Sequence, residues 1–186
     1  MVFQYKGHNC MISREVAQEG DEVKIGMQIF KNLNIRTVLE IGWCYGGFHQ
    51  MLMDEGFDVL SVDIEPKQVP QEDHKLIVAD SHELSTARQV MDYYPTYDLV
   101  FIDGDHSYEG CASDLKMYGA MADRLLVIDD FMVSGVYKAA MEKLGYPHLF
   151  LNTPNKNPKD VNGWGIYFMA PEKPNMDFTA AWRGIR

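Results

Sequence analysis

Two apolar runs in the chain end in clusters of groups able to move protons or hold a cation. The first, Tyr97-Asp98-Leu99-Val100-Phe101-Ile102, is followed by Asp103, Gly104, Asp105, His106 and Ser107. The second, Leu125-Leu126-Val127-Ile128, is followed by Asp129 and Asp130. If both runs are neighbouring strands, these side chains converge on one sheet edge as a cation site or an acid–base site. Carboxylates with no cysteine among them select hard cations such as Mg2+, Mn2+ or Ca2+, so Asp103, Asp129 and Asp130 are the candidate metal ligands. His106 titrates near neutral pH and is the candidate general base. The plainer reading is capping, with Asp105 or Ser107 starting the next helix and Asp129-Asp130 solvated before another.

A second set lies upstream. Val38-Leu39-Glu40-Ile41-Gly42-Trp43-Cys44-Tyr45-Gly46-Gly47-Phe48 reads as a buried strand, a tight turn and a helix start, where nucleotide-like cofactors sit in doubly wound sheets. Its spacing is Gly-x-x-x-Gly-Gly, which suits a nucleoside without a pyrophosphate better than a dinucleotide. Gly42 allows backbone to approach a ligand closely, with Gly46 beside it, and Glu40 can hold a ligand ammonium directly or through water. Asp63 ends the next strand, 21 residues after Gly42, near the offset at which a carboxylate meets ribose hydroxyls. Ile64 follows it. Asp80 and Ser81 end a third strand, placed to accept from an exocyclic amine and to donate to a ring nitrogen; either can instead cap a helix. Asp103 completes the set of candidate cofactor contacts.

Positioning these groups requires strands alternating with helices. The patterns predict strands near Thr37–Ile41, Asp58–Val62, Lys75–Ala79, Asp98–Ile102, Leu125–Ile128, His148–Leu151 and Gly165–Met169. They predict helices near Asp21–Asn32, Gly47–Glu55, Glu83–Tyr93, Tyr108–Met121 and Val136–Lys143. Asn152–Gly163 is rich in Asn, Pro and Lys and too short for a crossover helix, so the last two strands should pair antiparallel. The expected fold is α/β: a doubly wound, Rossmann-like, seven-stranded sheet with its last strand antiparallel. It is read as one domain over residues 1–186, with 1–34 as a short helical extension.

The chain has 186 residues and a net charge of −10, which argues against a nucleic-acid partner and suits a bound cation, metal or sulfonium. Cys10, Cys44 and Cys111 are widely spaced and read as free thiols in a reducing compartment. No leader pattern or long apolar run is visible, so no membrane is expected and the cytoplasm is the expected location.

In their order, these blocks resemble the class I S-adenosylmethionine-dependent methyltransferases, in particular the cation-dependent O-methyltransferases (catechol- and caffeoyl-CoA-like, with sugar- and antibiotic-modifying relatives labelled cephalosporin hydroxylase-like). VLEIGWCYGGF matches the glycine-rich loop, LSVDIEP the ribose acid and IVADSHEL the adenine edge. DLVFIDGDHSYEG is close to the signature of the sugar-modifying relatives, and LLVIDD matches the fifth strand. The resemblance implies methyl transfer from S-adenosylmethionine to a hydroxyl of a small molecule, assisted by a divalent cation such as Mg2+. Histidine at 106 stands where the catechol branch has a lysine, and Asp130 where it commonly has an asparagine, which points toward the sugar-type relatives. Tyr45, Phe48, Tyr108 and Phe131 are candidates for the acceptor pocket, with core packing the plainer role for Phe48. Met-rich helices, Phe178 and Trp182 are candidates for an interface between copies. The alternatives are a metal-independent methyltransferase, another nucleoside-using enzyme, or a silent cofactor-binding module.

Overall fold

The computed structural model describes residues 20–67, 74–152 and 163–169, together with the backbone of two short strands, β1 (Val2–Tyr5) and β2 (His8–Met11). β1 and β2 form an antiparallel pair in which Val2 faces Met11 and Tyr5 faces His8. Among the described residues of the segment 1–34, read as a helical extension, helix is found in α1 (Gly20–Asn32) and strand in β1 and β2. Phe178 and Trp182 lie outside the described residues.

The remaining elements are β3 (Thr37–Ile41), α2 (Gly47–Asp54), β4 (Asp58–Asp63), β5 (Lys75–Val78), α3 (Leu84–Tyr93) and β6 (Tyr97–Ile102). They continue with α4 (Tyr108–Tyr118), a 3-10 turn over Gly119–Met121, β7 (Ala122–Ile128), α5 (Ser134–Lys143), β8 (Leu149–Leu151) and β9 (Trp164–Phe168). The seven strands lie in the order β5-β4-β3-β6-β7-β9-β8. The first five are parallel, and β9 runs antiparallel to both β7 and β8. The order reverses between β3 and β6, and in such sheets the ligand crevice opens beyond the carboxyl ends at that switch.

Both faces of the sheet are covered, which is why its central strands read as continuous apolar runs. Leu39, Ile41, Val100 and Ile102 pack on one face against Val90, Leu115 and Ala139 of α3, α4 and α5. Val38, Leu99 and Phe101 pack on the other against Met27, Phe30 and Leu52 of α1 and α2. Trp164 anchors this second face. It is fully buried, with the Phe30 ring stacked at 6.3 Å and the Phe48 and Phe101 rings edge-on at 5.8 and 5.1 Å. Trp164→Ala should cost roughly 3–5 kcal/mol in denaturant unfolding, because the void cannot be filled from three sides. A loss below about 1 kcal/mol would show that this aromatic cluster does not hold α1 to the sheet.

Candidate active site

A cavity of about 580 Å³ opens at the carboxyl ends of β3, β4 and β6 and at the turn after β5. Of the residues singled out in the sequence, Gly42, Asp63, Ile64, Asp80, Ser81, Asp103 and His106 line it. Glu40, Gly46, Asp129 and Asp130 are not among its lining.

The loop after β3 is built by contacts within the chain. Gly42 has φ of +103°, and a Cβ there would stand 2.0 Å from the carbonyl oxygen of Asp103, so the end of β6 excludes any side chain. Gly46 has φ of +72° and a Cβ there would strike the Trp43 ring. The Asp63 carboxylate holds the loop, accepting from the backbone N–H of Trp43 (2.9 Å) and Cys44 (2.8 Å) through Oδ2 and of Glu65 (2.7 Å) through Oδ1. A carboxylate offers about four acceptor positions. Three are used, so Asp63 retains room for roughly one further donor, where two ribose hydroxyls were expected.

Glu40 stands elsewhere. Strand alternation turns it toward α2, where it is 2% exposed, accepts from the Ser61 hydroxyl and lies 3.6 Å from His49 Nδ1. His49 Nδ1 is itself 2.6 Å from Ser61 Oγ. α2 covers the Glu40 side chain, and the residue expected to hold a ligand ammonium directly or through water stands behind the cavity lining.

At the third strand end, Asp80 Oδ1 accepts from the His82 backbone N–H at 2.9 Å. The N-cap of α3 is Glu83, so neither Asp80 nor Ser81 takes that place. The Ser81 hydroxyl donates to Asp114 Oδ1 at 2.7 Å, and the Tyr118 hydroxyl donates to the Ser81 carbonyl at 2.6 Å. A hydroxyl has one proton, so while it is given to Asp114 it cannot reach a ring nitrogen as the sequence reading had it. Asp114 was missed. It is fully buried in α4, and burial pushes its carboxyl up to about 6. The signal was an acidic residue on the inward helix face shared by Cys111, Leu115 and Tyr118.

On the far side of the cavity, His106 bridges two carboxylates, with Nε2 at 3.2 Å from Asp103 Oδ1 and Nδ1 at 3.2 Å from Asp130 Oδ2. Burial pushes Asp103 up to about 6, against the opposing hydrogen bond from His106. The His106 imidazole is raised above its ordinary value, first by the hydrogen bond to Asp103 and against the effect of its own burial. Asp129 is buried at 8% exposure. Ser107 caps α4, its hydroxyl accepting from Gly110 N–H at 3.0 Å, and Asp105 accepts from Ser107 N–H at 2.8 Å. Among the described residues, no three His, Cys, Asp or Glu side chains are arranged to hold a metal ion. The imidazole fills the gap between Asp103 and Asp130, so the expected ligand set does not fit a cation in this geometry.

The four aromatics proposed for the acceptor pocket do not line the cavity. Phe48 and Phe131 are core residues, 8% and 3% exposed. Tyr108 donates to Glu142 at 2.6 Å and lies under Lys138, while Tyr45 lies 5.8 Å from Lys67 Nζ.

No protein-family model matches the chain, and no curated protein matches it. Solved structures do. Cofactor-bound Rv0187 from MTB superposes with a TM-score of 0.66 at 18% identity, over 88% of this chain and 85% of that one. The O-methyltransferase from Bacillus cereus in complex with SAH gives 0.56 at 15% identity, over 84% and 81%. The MycE methyltransferase of the mycinamycin biosynthetic pathway, in complex with Mg, SAH and mycinamycin VI, gives 0.59 at 15% identity, over 85% of this chain and 52% of its own. The chain spans about half the length of MycE. It has the class I methyltransferase fold.

The His106 geometry gives a direct expectation. Two flanking carboxylates favour the imidazolium, so NMR titration of His106 should give a pKa above the ordinary ~6.5. Asp103→Asn should lower it. A value unmoved by that change would show that the two side chains do not interact.

Proposed function

We propose that the chain transfers the methyl group of S-adenosylmethionine to a hydroxyl of a small molecule. The observation that carries this is a single cavity at the switch point of a methyltransferase fold, with Asp63, Asp80 and Ser81 on one side and His106 with its carboxylates on the other. The lining fits the cofactor. Its carboxylates, Asp63, Glu65, Asp80, Asp103 and Asp105, outnumber its one lysine, Lys67, which suits a ligand bearing positive charge. Ile64 is an apolar side chain left 67% exposed at the cavity wall, where an aromatic base can cover it.

When bound, the cofactor supplies a methyl group on an electrophilic sulfonium. The chain's residues do the rest. Asp63 accepts from a ribose hydroxyl while keeping the β3 loop in place, and Asp80 and Ser81 border the base. Gly42, having no side chain, lets the β3 turn pack directly against Asp103 at the end of β6. In its neutral form, which the raised pKa shifts to higher pH, His106 takes the proton of the acceptor hydroxyl, a step typically worth about 10²–10⁴-fold. Both of its nitrogens face carboxylates, so the acceptor must replace one of these partners at the ring. The remaining carboxylate stabilises the imidazolium that forms.

A second reading, in which a divalent cation assists, is favoured by the presence of Mg in the MycE structures. Asp103, Asp129 and Asp130 would be its ligands here, and His106 would have to leave the gap it fills. The proposal takes residues 1–186 as one methyltransferase domain and a reducing compartment such as the cytoplasm as its setting, in keeping with the free thiols of Cys44 and Cys111. No described helix is long and apolar enough to cross a membrane.

Calorimetric titration with S-adenosylhomocysteine tests the cofactor. Asp63→Ala should weaken binding roughly 10–100-fold, through the lost charge-assisted hydrogen bond and the released loop; unchanged affinity would refute the assignment. In a methyl-transfer assay, His106→Gln should cost about 10²–10⁴-fold in turnover while sparing that binding. Turnover that survives EDTA keeps the metal-free reading. Turnover lost to EDTA and restored by Mg2+ would establish the cation.

A further inference from the structure

We infer that Asp114 is a positioning residue: by holding the Ser81 hydroxyl proton, it makes the Asp80–Ser81 edge of the cavity select a base that presents an amino group over one that presents a carbonyl. This rests on the reading that the cavity receives the adenosine part of the cofactor, and it adds how the base is told from its deaminated form.

Asp114 lies beneath the cavity floor. It is fully buried, and a Cβ placed on the floor residue Gly104 would be 3.0 Å from its Oδ2. That oxygen has no hydrogen-bond partner among the described residues, while Oδ1 takes the Ser81 proton at 2.7 Å and lies 3.5 Å from His82 Nε2. The Tyr118 hydroxyl, one helical turn further along α4, holds the Ser81 carbonyl at 2.6 Å. α4 therefore grips Ser81 at two points, fixing both the backbone and the direction of its O–H. A buried carboxylate with an incomplete set of partners costs stability that an apolar residue in the same place would not, so packing alone gives no reason for an acid there.

The consequence is chemical. With its proton directed at Asp114, Ser81 Oγ offers only lone pairs to the cavity, and the Asp80 carboxylate is also an acceptor. An exocyclic amine satisfies both. A carbonyl at the same position meets these two acceptors, since the His82 ring nitrogens that could donate to it lie 3.7 Å from Asp80 Oδ1 and 3.5 Å from Asp114 Oδ1. The N1–H that accompanies the carbonyl can satisfy one acceptor, and the exocyclic oxygen is left mispaired. Freed from Asp114, the Ser81 hydroxyl can rotate and donate, and the edge loses its preference.

The test is titration of the full chain with S-adenosylhomocysteine and S-inosylhomocysteine, which differ in the exocyclic group of the purine, amino against carbonyl, and in the N1–H that accompanies the carbonyl. The unmodified protein should bind the adenosyl compound at least about tenfold more tightly, the effect of one or two mispaired groups. Asp114→Ala should reduce this ratio to within about threefold of unity, mostly by strengthening inosyl binding relative to adenosyl. Ser81→Ala should also reduce it, and adding Asp114→Ala to Ser81→Ala should change it no further. If Asp114→Ala does not fold, Asp114→Leu fills the space with apolar atoms and reads the same ratio. A protein that binds both compounds without preference, or an Asp114 variant that weakens both equally, overturns the inference while leaving the cofactor reading intact. A protein that binds neither overturns both.

Discussion

The Asp63 carboxylate, accepting from the backbone N–H groups of Trp43 and Cys44, is the contact on which the geometry of the cavity depends. It ties the end of β4 to the loop that leaves β3. Gly42 completes the tie from the other side, since its Cα sits directly against the Asp103 carbonyl at the end of β6. Three parallel strand ends are thus locked together by one carboxylate and one missing side chain. A turn with free N–H groups would collapse on its own acceptors or fill with water. Here those groups are satisfied, and the crevice beside them stays open.

The second constraint is electrostatic. Acidic side chains gathered at strand ends repel one another unless protons or cations intervene, and the chain supplies His106 between Asp103 and Asp130. The same crowding raises His106 and leaves Asp103 pushed up to about 6 by burial, with Asp130 and Glu40 adding to the shift. Such coupled groups hold and release protons as a set. A site of this kind can take up and release a proton, which is what the proposed deprotonation of an acceptor hydroxyl requires.

Much of this was legible in the sequence because the sheet writes itself plainly. Each parallel strand is an apolar run ending in a polar residue, so Asp63, Asp80 and Asp103 could be placed on one edge from spacing alone. The hairpin over Val2–Met11 was less legible, because four-residue strands carry too little alternation to stand out. Side-chain direction was the least legible. Glu40 follows the pleat of β3 under α2, and Ser81 gives its proton to a helix 33 residues away. Neither outcome has a local signal, since each depends on which element covers which face. The same holds for Phe131, which the sequence suggested as a pocket wall and which packs instead against Gly165.

The buried acids that line no cavity still act on it. Glu40 lies behind the β3 loop and Asp114 beneath Gly104, both almost wholly removed from water. Charges so placed are weakly screened, and their fields reach the cavity through protein and not solvent. Asp103 is raised first by its own burial, with Glu40 among the smaller contributions. A cationic ligand entering the cavity would relieve all of these repulsions at once, lowering the tendency of each acid to hold a proton. A neutral ligand of the same shape would relieve none. Under the proposed function, such an arrangement would distinguish a sulfonium from a thioether by charge as well as by shape.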